Sequence, residues 1–283
     1  MNASPGLAQT PTREPAAEAV PQRPRRKGIW MTVAALTAFV AVVPVGVQIW
    51  GRLIRHTQHS RIMSGPHPIT ALEVEMGAGE VEVTAGPAGQ VTVDQTLKWA
   101  LNKSHVERSW DGTTLHLKAV CGPGSVLFSS LECGVGLRIQ VPAEVALQAK
   151  TSSGTVAAEG LTGTVRLQTS SGVVSMERLA GPVWARASSG VINGTDLGSS
   201  RVDVGLSSGA TTLEFRTAPR DVTARTSSGS ISIGVPPGQR YRVEGGSSFT
   251  KPDIAAGLQD DTSDRRIEVH TSSGSVKVRY APH

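Results

Sequence analysis

The chain has 283 residues, with 28 lysines and arginines against 23 aspartates and glutamates, a net charge of +5 at neutral pH. Residues 1–61 hold eight basic and two acidic residues (+6), which leaves 20 basic and 21 acidic residues (−1) for residues 62–283. Because the basic excess is confined to the first 61 residues, the rest of the chain lacks the charge of a nucleic-acid-binding protein, and we expect no nucleic-acid partner.

Residues 1–27 are rich in proline, alanine and threonine and contain few side chains that could form a core. This composition predicts a disordered tail. The tail ends in a basic cluster of Arg23, Arg25, Arg26 and Lys27.

Residues 28–50 form a run of 23 residues without a charged side chain. As a helix rising about 1.5 Å per residue, the run would be about 34 Å long, which is enough to span a bilayer. Trp30 and Trp50 stand near its ends, where membrane-interface aromatics are common. A cleaved signal peptide is the alternative, but the run is long for one and no small-residue cleavage site follows it before Arg52. We therefore predict a single transmembrane helix.

The basic cluster before this run outnumbers the three arginines that follow it, Arg52, Arg55 and Arg61. By the positive-inside rule, the N-terminus is predicted to be cytoplasmic and the C-terminal part of the chain extracytoplasmic. Residues 51–66 are predicted to be a juxtamembrane linker.

Residues 67–145 contain short segments in which apolar and polar side chains alternate, such as 72–76, 80–83 and 137–141. Alternation with a period of two is typical of β-strands. We predict an N-terminal β region that is either a cap on the repeats described below or the irregular first coils of the same solenoid, because stacked repeats need covered ends.

The two cysteines, Cys121 and Cys133, lie in this region. An oxidising extracytoplasmic compartment favours a disulfide between them, which would stabilise the loop they enclose by about 3 kcal/mol. Two cysteines are too few ligands for a zinc site, so we expect no metal or other cofactor.

From residue 146 onward, a Ser-Ser-Gly triplet recurs at intervals near 20 residues. Its glycines are Gly154, Gly172, Gly190, Gly209, Gly229 and Gly274, and a degenerate copy lies at Ser247-Ser248-Phe249. A repeat this short cannot bury a core alone but suits one coil of a β-solenoid, in which each coil packs on its neighbours. We therefore predict an all-β fold with a parallel β-solenoid over residues 146–283.

Apolar side chains recur five and three residues before each triplet, and four and six residues after its first serine. This spacing predicts two strands, each with one buried face, that meet at a tight corner. Glycine suits the corner because it adopts positive φ without steric cost. The serines are not predicted to be nucleophiles, since no histidine or acid recurs beside them.

Trp184 is predicted to lie on the face opposite the aliphatic columns. It is a candidate contact for a glycan or a protein, although covering an edge is the commoner role of such a residue. The acidic segment 251–266 is predicted to be a solvated loop. Residues 275–280 are predicted to form the final strand, an exposed edge protected by its lysine and arginine.

Residues 137–156 form a strand with a proline that leads into the first Ser-Ser-Gly corner, and further corners follow. This pattern resembles a bacterial family of unknown function whose members are described as proposed adhesins with β-strand repeats. The resemblance extends over about residues 70–280. It implies a bacterial envelope protein with a repetitive β domain, and it brings no catalytic or binding residues with it.

We therefore expect a membrane-anchored, non-enzymatic binding or scaffold module outside the membrane, in contact with cell-wall glycan or another envelope protein. An accessory role in an envelope-stress or signalling system is the alternative. A polysaccharide-acting enzyme is disfavoured because the acids Asp196, Asp203 and Asp221 occupy different columns of the repeat.

Overall fold

The computed structural model describes residues 31–40, 42, 56–64, 68–99, 104–120, 134–247 and 251–281. Contacts divide the chain into two compact units, Met1–Ile49 and Trp50–His283. The described residues of the first unit are helical. None of the helical segments described is both long enough and apolar enough to cross a membrane. Cys121, Cys133, the predicted tail and most of the predicted transmembrane helix lie outside the described residues.

The described part of the second unit consists of β-strands, which confirms the all-β prediction. The strands are β1 (His56–Ser64), β2 (Ala71–Gly86), β3 (Val91–Trp99), β4 (His105–Asp111), β5 (Thr114–Val120), β6 (Gly134–Pro142), β7 (Ala146–Glu159), β8 (Val165–Glu177), β9 (Val183–Leu197), β10 (Arg201–Phe215), β11 (Asp221–Val235), β12 (Arg242–Ser247), β13 (Asp253–Ile254), β14 (Arg266–Ser273) and β15 (Val276–Tyr280).

The long strands β7 to β11 lie side by side in sequence order, and each pairs in parallel with the next. Their register aligns the triplets, so that Gly172 pairs with Gly154 on one side and with Gly190 on the other. Each coil is thus one long strand followed by a short turn. This is the solenoid-like stacking that the spacing of the triplets predicts.

The path of the chain through each triplet differs from the prediction of two separate strands. In β7 to β11 a single strand of 13 to 15 residues continues through the triplet. The six triplet glycines have φ between +116° and +146°. The glycine bends the strand, while the residues on both sides stay paired with the next coil. Only the last triplet interrupts its strand, which separates β14 from β15.

The core lies on the inner side of the bends, between the two halves of each strand. The four predicted apolar columns are buried, as in Leu147, Ala149, Val156 and Ala158 of β7. The turns add a fully buried leucine to successive coils, namely Leu161, Leu179 and Leu197. A further buried column, directly before the triplet, was not predicted: Thr151, Thr169, Ala187, Leu206, Thr226 and Thr271. Most of the threonine hydroxyls in this column have a partner, as when Thr151 Oγ1 donates to Thr169 Oγ1 over 3.1 Å, whereas the buried hydroxyl of Thr271 has none within the described residues.

Both ends of the stack depart from the sequence order of the coils. At one end β2 lies between β7 and a coil made of β5 and β6. At the other end β14 and β15 lie between β11 and a coil made of β12 and β13. The prediction that residues 275–280 form a final strand at an exposed edge is therefore wrong in its edge, because β13 pairs with Lys277 and Val278 on the side of β15 that faces away from β11. The same topology places β13 inside the segment 251–266 that was predicted to be a loop.

Antiparallel strands complete the N-terminal end, where β4 pairs with β5, β3 pairs with β6, and β1 pairs with β3. Strand β1 falls within residues 51–66, the segment predicted to be a linker. This strand was not predicted because its sequence is polar and shows little alternation. Its pairing with β3 is stabilised by Arg61, which donates from Nε and Nη2 to the two carboxylate oxygens of Asp94, over 2.6 and 2.9 Å. This hydrogen-bonded pairing lowers the pKa of Asp94.

Candidate binding surface along the Ser-Ser-Gly bends

The outer side of the bends carries three rows of residues across six adjacent strands, β7 to β11 and β14. We call this surface the bend strip. Its first row, two residues before each triplet, is Lys150, Gln168, Arg186, Gly205, Arg225 and His270. The second row is Ser152, Ser170, Ser188, Ser207, Ser227 and Ser272. The third row is Ser153, Ser171, Ser189, Ser208, Ser228 and Ser273. With neighbouring strands about 4.8 Å apart, the strip is about 24 Å long.

The serine hydroxyls of the bend strip are available to a ligand. All twelve serines are exposed, and none of their hydroxyls has a hydrogen-bond partner within the described residues. A hydroxyl can both donate and accept a hydrogen bond. The two serine rows therefore present donors and acceptors at the regular spacing of the strands.

The glycine of each triplet holds the serine rows in register. A Cβ added to Gly172 would lie 1.9 Å from the carbonyl oxygen of Gly154, and one added to Gly190 would lie 1.9 Å from that of Gly172. The backbones of successive coils thus approach more closely than any other residue would allow. Gly79 of β2 continues the column, because a Cβ on Gly154 would lie 1.9 Å from its oxygen. Predicted from the sequence as corner residues, these glycines form one line beneath the serines.

The bend strip contains no aspartate or glutamate in any of its three rows. On the strands of the strip, the acids nearest to the first row are Asp203 and Glu268, two residues further upstream. Glu75 of β2 lies beside Lys150 at the edge of the strip. Arg186 donates from Nη2 to Asp203 Oδ2 over 2.9 Å, and from Nη1 to the carbonyl oxygens of Asp203 and Ala185, each over 3.0 Å. Arg225 donates from Nη2 to Glu268 Oε1. Each arginine is therefore held from the side that faces away from the serines.

Trp184 lies on the outer face of β9, two residues before Arg186, and is partly buried. In the sheet its neighbours are Arg166 of β8 and Asp203 of β10. The guanidinium carbon of Arg186 is 4.6 Å from the centre of a Trp184 ring. A cation–π contact of this kind orients the guanidinium. In the structure, Trp184 thus helps to position an arginine of the bend strip.

The strip has an open groove at Gly205, the one residue of the first row without a side chain. This groove, which we call the Gly205 groove, has a volume of about 360 Å³. Its outer lining is Arg186, Arg225, His270, Ser207, Ser227 and Ser272. It brings cationic groups and hydroxyls of four strands to one place.

A chain of ion pairs continues from these arginines to the end of the stack. It runs through Arg186, Asp203, Arg225, Glu268, Arg266, Glu244 and Arg242. Glu268 is a junction of this chain, because its two oxygens accept from Arg225 and Arg266. A hydrogen bond from Arg266 to Glu244, 2.9 Å long, raises the pKa of Arg266. Four guanidinium groups against three carboxylates leave this chain with one net positive charge.

A larger groove of about 1110 Å³ lies between β1, β3, β6 and β2. Of its five lining lysine, arginine, aspartate and glutamate residues, three are held in ion pairs, and two of the five are acids. Arg61 pairs with Asp94 at 2.6 Å, and Arg138 pairs with Glu82 at 3.0 Å. We therefore consider the bend strip, with its unpaired hydroxyls and its lack of acids, the stronger candidate for ligand binding.

The acids considered as catalytic candidates are all engaged in ion pairs. Each has its own arginine partner: Asp196 with Arg216, Asp203 with Arg186, and Asp221 with Arg201. Within the described residues, no group of three or more histidines, cysteines, aspartates and glutamates could hold a metal ion. In the acidic segment, Asp260 accepts from the backbone N–H and hydroxyl of Thr262, which lowers the pKa of Asp260 and stabilises a turn.

The first row of the bend strip was missed in the sequence analysis, which singled out the glycines and Trp184 instead. Its members lie about 20 residues apart in the chain, and the fold brings them together. The available signal was the position two residues before each triplet, where acids never occur and where Arg186 and Arg225 stand.

Together these features define a class of protein: an all-β repeat protein whose coils stack in parallel through glycine bends. The chain belongs to the Toastrack DUF4097 family, whose family model matches residues 69–282. This confirms the resemblance to a bacterial β-repeat family of unknown function.

The chain shows similarity to solved structures from several bacteria. They include a proposed adhesin from Bacteroides fragilis (12% identity, TM-score 0.40, 78% of this chain and 97% of that chain). A proposed cell adhesion protein from Clostridium sporogenes has 9% identity and a TM-score of 0.35, over 80% of this chain and 100% of that chain. A proposed lipid-binding protein from Parabacteroides distasonis has 12% identity and a TM-score of 0.27, over 80% of this chain and 97% of that chain. No curated protein matches the chain.

Proposed function

We propose that this protein is a membrane-anchored module that binds glycan of the bacterial cell envelope along the bend strip. Residues 28–50 anchor it in the cell membrane, residues 1–27 lie in the cytoplasm, and the β coils lie outside. The 23-residue uncharged run and the basic cluster before it support this orientation.

The observation that carries the proposal is the double row of exposed serines without partners on six adjacent strands. A linear glycan presents hydroxyls at regular intervals, and a regular array of donors and acceptors can bind it along its length. A linear array suits a polymer better than a compact ligand, because successive units of the polymer meet equivalent groups.

The backbone beneath the serines makes the array rigid. Ladder pairing on both sides of each bend and the close glycine contacts fix the serine positions before a ligand arrives. A preorganised surface loses less conformational entropy on binding, so more of the contact energy contributes to affinity. Weak individual hydroxyl contacts can then add up along the strip.

We propose binding without chemical change to the glycan. Glycoside hydrolysis commonly uses two carboxyl groups on either side of the scissile bond. The bend strip has no carboxyl group in its three rows. Its chemistry is therefore that of holding a ligand.

Retention of the purified full-length protein, in mild detergent, on isolated cell-wall sacculi tests this function. The variant S153E/S171E places two negative charges on the strip of adjacent coils, β7 and β8. The matched control T162E/A180E places the same charges in the exposed turns of the same two coils.

We expect saturable retention of the wild type and the turn variant, and a loss of about ten-fold or more in affinity for the strip variant. Equal retention of both variants would contradict the proposed surface. Retention by membrane-protein extracts but not by sacculi would replace glycan with a protein partner and favour the accessory role.

A further inference from the structure

We infer that the Gly205 groove is the part of the bend strip that recognises an acidic group on the glycan, a carboxylate or a phosphate. This inference rests on the proposed function and names the class of ligand that the strip selects. The inference is based on the two arginines, on the acids and the tryptophan that hold them, and on the hydroxyls around Gly205.

Gly205 allows Arg186 to reach across strand β10. A Cβ added to Gly205 would lie 2.8 Å from Arg186 Cδ and 3.0 Å from its Nε, so the arginine side chain occupies the space that another residue would fill. The guanidinium of Arg186 therefore lies over β10, directly beside β11, which carries Arg225. Two guanidinium groups from strands that are not neighbours are thereby brought to the same groove.

Both arginines approach one carboxylate. Asp203 Oδ2 accepts from Arg186 over 2.9 Å, and Asp203 Oδ1 lies 4.0 Å from Arg225 Nη1. Neither Asp203 nor Glu268 lines the groove, because the first row of the bend strip lies between these acids and the serines. The acids thus orient the arginines and leave the serine side of the groove without a negative charge.

Unused donors remain on both arginines. A guanidinium has five N–H groups. Arg225 makes one hydrogen bond within the described residues, through Nη2, and its Nη1 lies 4.0 Å from Asp203 Oδ1, so its Nε makes neither a hydrogen bond nor an ion pair there. Arg186 uses Nη1 and Nη2, and its Nε has no partner among the described residues. Arginine binds carboxylate and phosphate oxygens well because its planar donors match pairs of oxygens.

The surroundings of the groove favour an anion over a neutral group. Trp184 and Asp203 hold Arg186 in place, so little side-chain ordering is needed when a ligand binds. Ser207 and Ser227 add hydroxyls that can donate to further oxygens, and His270 lies on the same rim. Elsewhere the first row offers only Lys150 and Gln168, so both guanidinium groups of the bend strip lie at the Gly205 groove.

Defined polymers test the inference with the full-length protein in detergent. The probes are polygalacturonate for carboxylate, poly(glycerol phosphate) for phosphate, and neutral dextran, each titrated by calorimetry at low and high salt. We expect at least one acidic polymer to bind about ten-fold more tightly than dextran at low salt, with the difference shrinking as salt screens the charges. The two acidic polymers distinguish carboxylate from phosphate as the group recognised.

Two variants locate the preference. R225Q removes one guanidinium, and Gly205→Thr keeps every charge but displaces the Arg186 side chain. Both are expected to lower the ratio of acidic to neutral affinity about five-fold or more. The control R201Q removes an exposed arginine of β10 that lies outside the bend strip, and it is expected to keep the ratio. Thermal melting of each variant confirms folding.

The outcomes separate the inference from the proposed function. Equal binding of acidic and neutral polymers would overturn the inference and leave glycan binding intact. An equal loss in R201Q and R225Q would also overturn it, because the effect would then come from overall charge. Failure of the wild type to bind any polymer or sacculi would overturn both.

Discussion

The substitution Gly172→Ala probes the glycine column that aligns the bend strip. Gly172 has φ +136° and lies in the middle of β8. An added Cβ would lie 1.9 Å from the oxygen and 2.8 Å from the carbon of the Gly154 carbonyl. Since the obstacle is backbone and not a flexible side chain, β7 and β8 must separate locally by on the order of 1 Å.

The expected loss of stability has two parts. Holding a residue other than glycine at this φ costs about 1 to 3 kcal/mol. Separating the strands weakens about two ladder hydrogen bonds beside the bend, at about 1 kcal/mol each. The sum is about 3 to 5 kcal/mol, which for a unit of this size lowers the melting temperature by about 10 °C.

Two further glycines separate these contributions. Gly77 has open space around its Cβ position and no positive φ, so Gly77→Ala is expected to change the free energy of unfolding by less than about 0.5 kcal/mol. Gly238 has φ +83° and equally open space, so Gly238→Ala is expected to show backbone strain alone, about 1 kcal/mol.

Differential scanning calorimetry of the three variants beside the wild type gives the comparison. We expect destabilisation to increase in the order Gly77→Ala, Gly238→Ala, Gly172→Ala. If Gly172→Ala melted at the same temperature as Gly77→Ala, the close contact between coils would not restrict the residue at this position, and the glycine column would not be what aligns the bend strip.

Three other substitutions have predictable effects. E268Q removes the junction between Arg225 and Arg266 and is expected to destabilise the β unit by about 1 kcal/mol in urea titrations at low salt, and by less at high salt. The lowered pKa of Asp94 gives stability that is present above the ordinary pKa of the carboxyl and lost as the pH falls through the folded value, so D94N should flatten the acid side of a plot of melting temperature against pH. Burial raises the pKa of Tyr241 to about 12, so its contribution is present below the ordinary value near 10 and lost as the pH rises toward 12. Tyr241→Phe should remove that alkaline loss, and at neutral pH it should have little effect because the hydroxyl has no partner within the described residues.

The repeating part of the fold was predictable because each coil obeys the same local rules. The columns of Leu147 and Val156 follow from alternation on either side of the triplet, and positive φ at Gly172 follows from the need for a sharp bend. The pattern could not show that one strand continues through each triplet, since a single bent strand and two strands that meet at a corner have apolar residues at the same spacing.

The ends of the stack were not predictable from the same pattern. The order in which the last coils stack depends on tertiary pairing. The alternating pattern of residues 276–280 is equally compatible with a strand at the edge of a sheet and with one inside it. Strand β1 was missed because its sequence is polar, and it is held by its pairing with β3 and by the Arg61–Asp94 ion pair.

The candidate site was predictable only in part. The serine rows were visible as a repeat, and Trp184 was recognised as an outward aromatic residue. Its contact with Arg186 was hidden, as was the role of Gly205, because both depend on which side chains face each other across strands. Residues separated by a whole coil become neighbours only when the register is known.

Crosslinking in cells that produce the protein shows whether the bend strip contacts wall glycan. A photoreactive side chain is placed at Ser171 on the bend strip or at Ala180 in the exposed turn of the same coil, and the cells are irradiated. We expect the Ser171 probe to attach the protein covalently to the insoluble wall glycan and the Ala180 probe not to do so. Equal attachment from both positions, or attachment of the Ser171 probe to proteins alone, would contradict glycan binding along the bend strip.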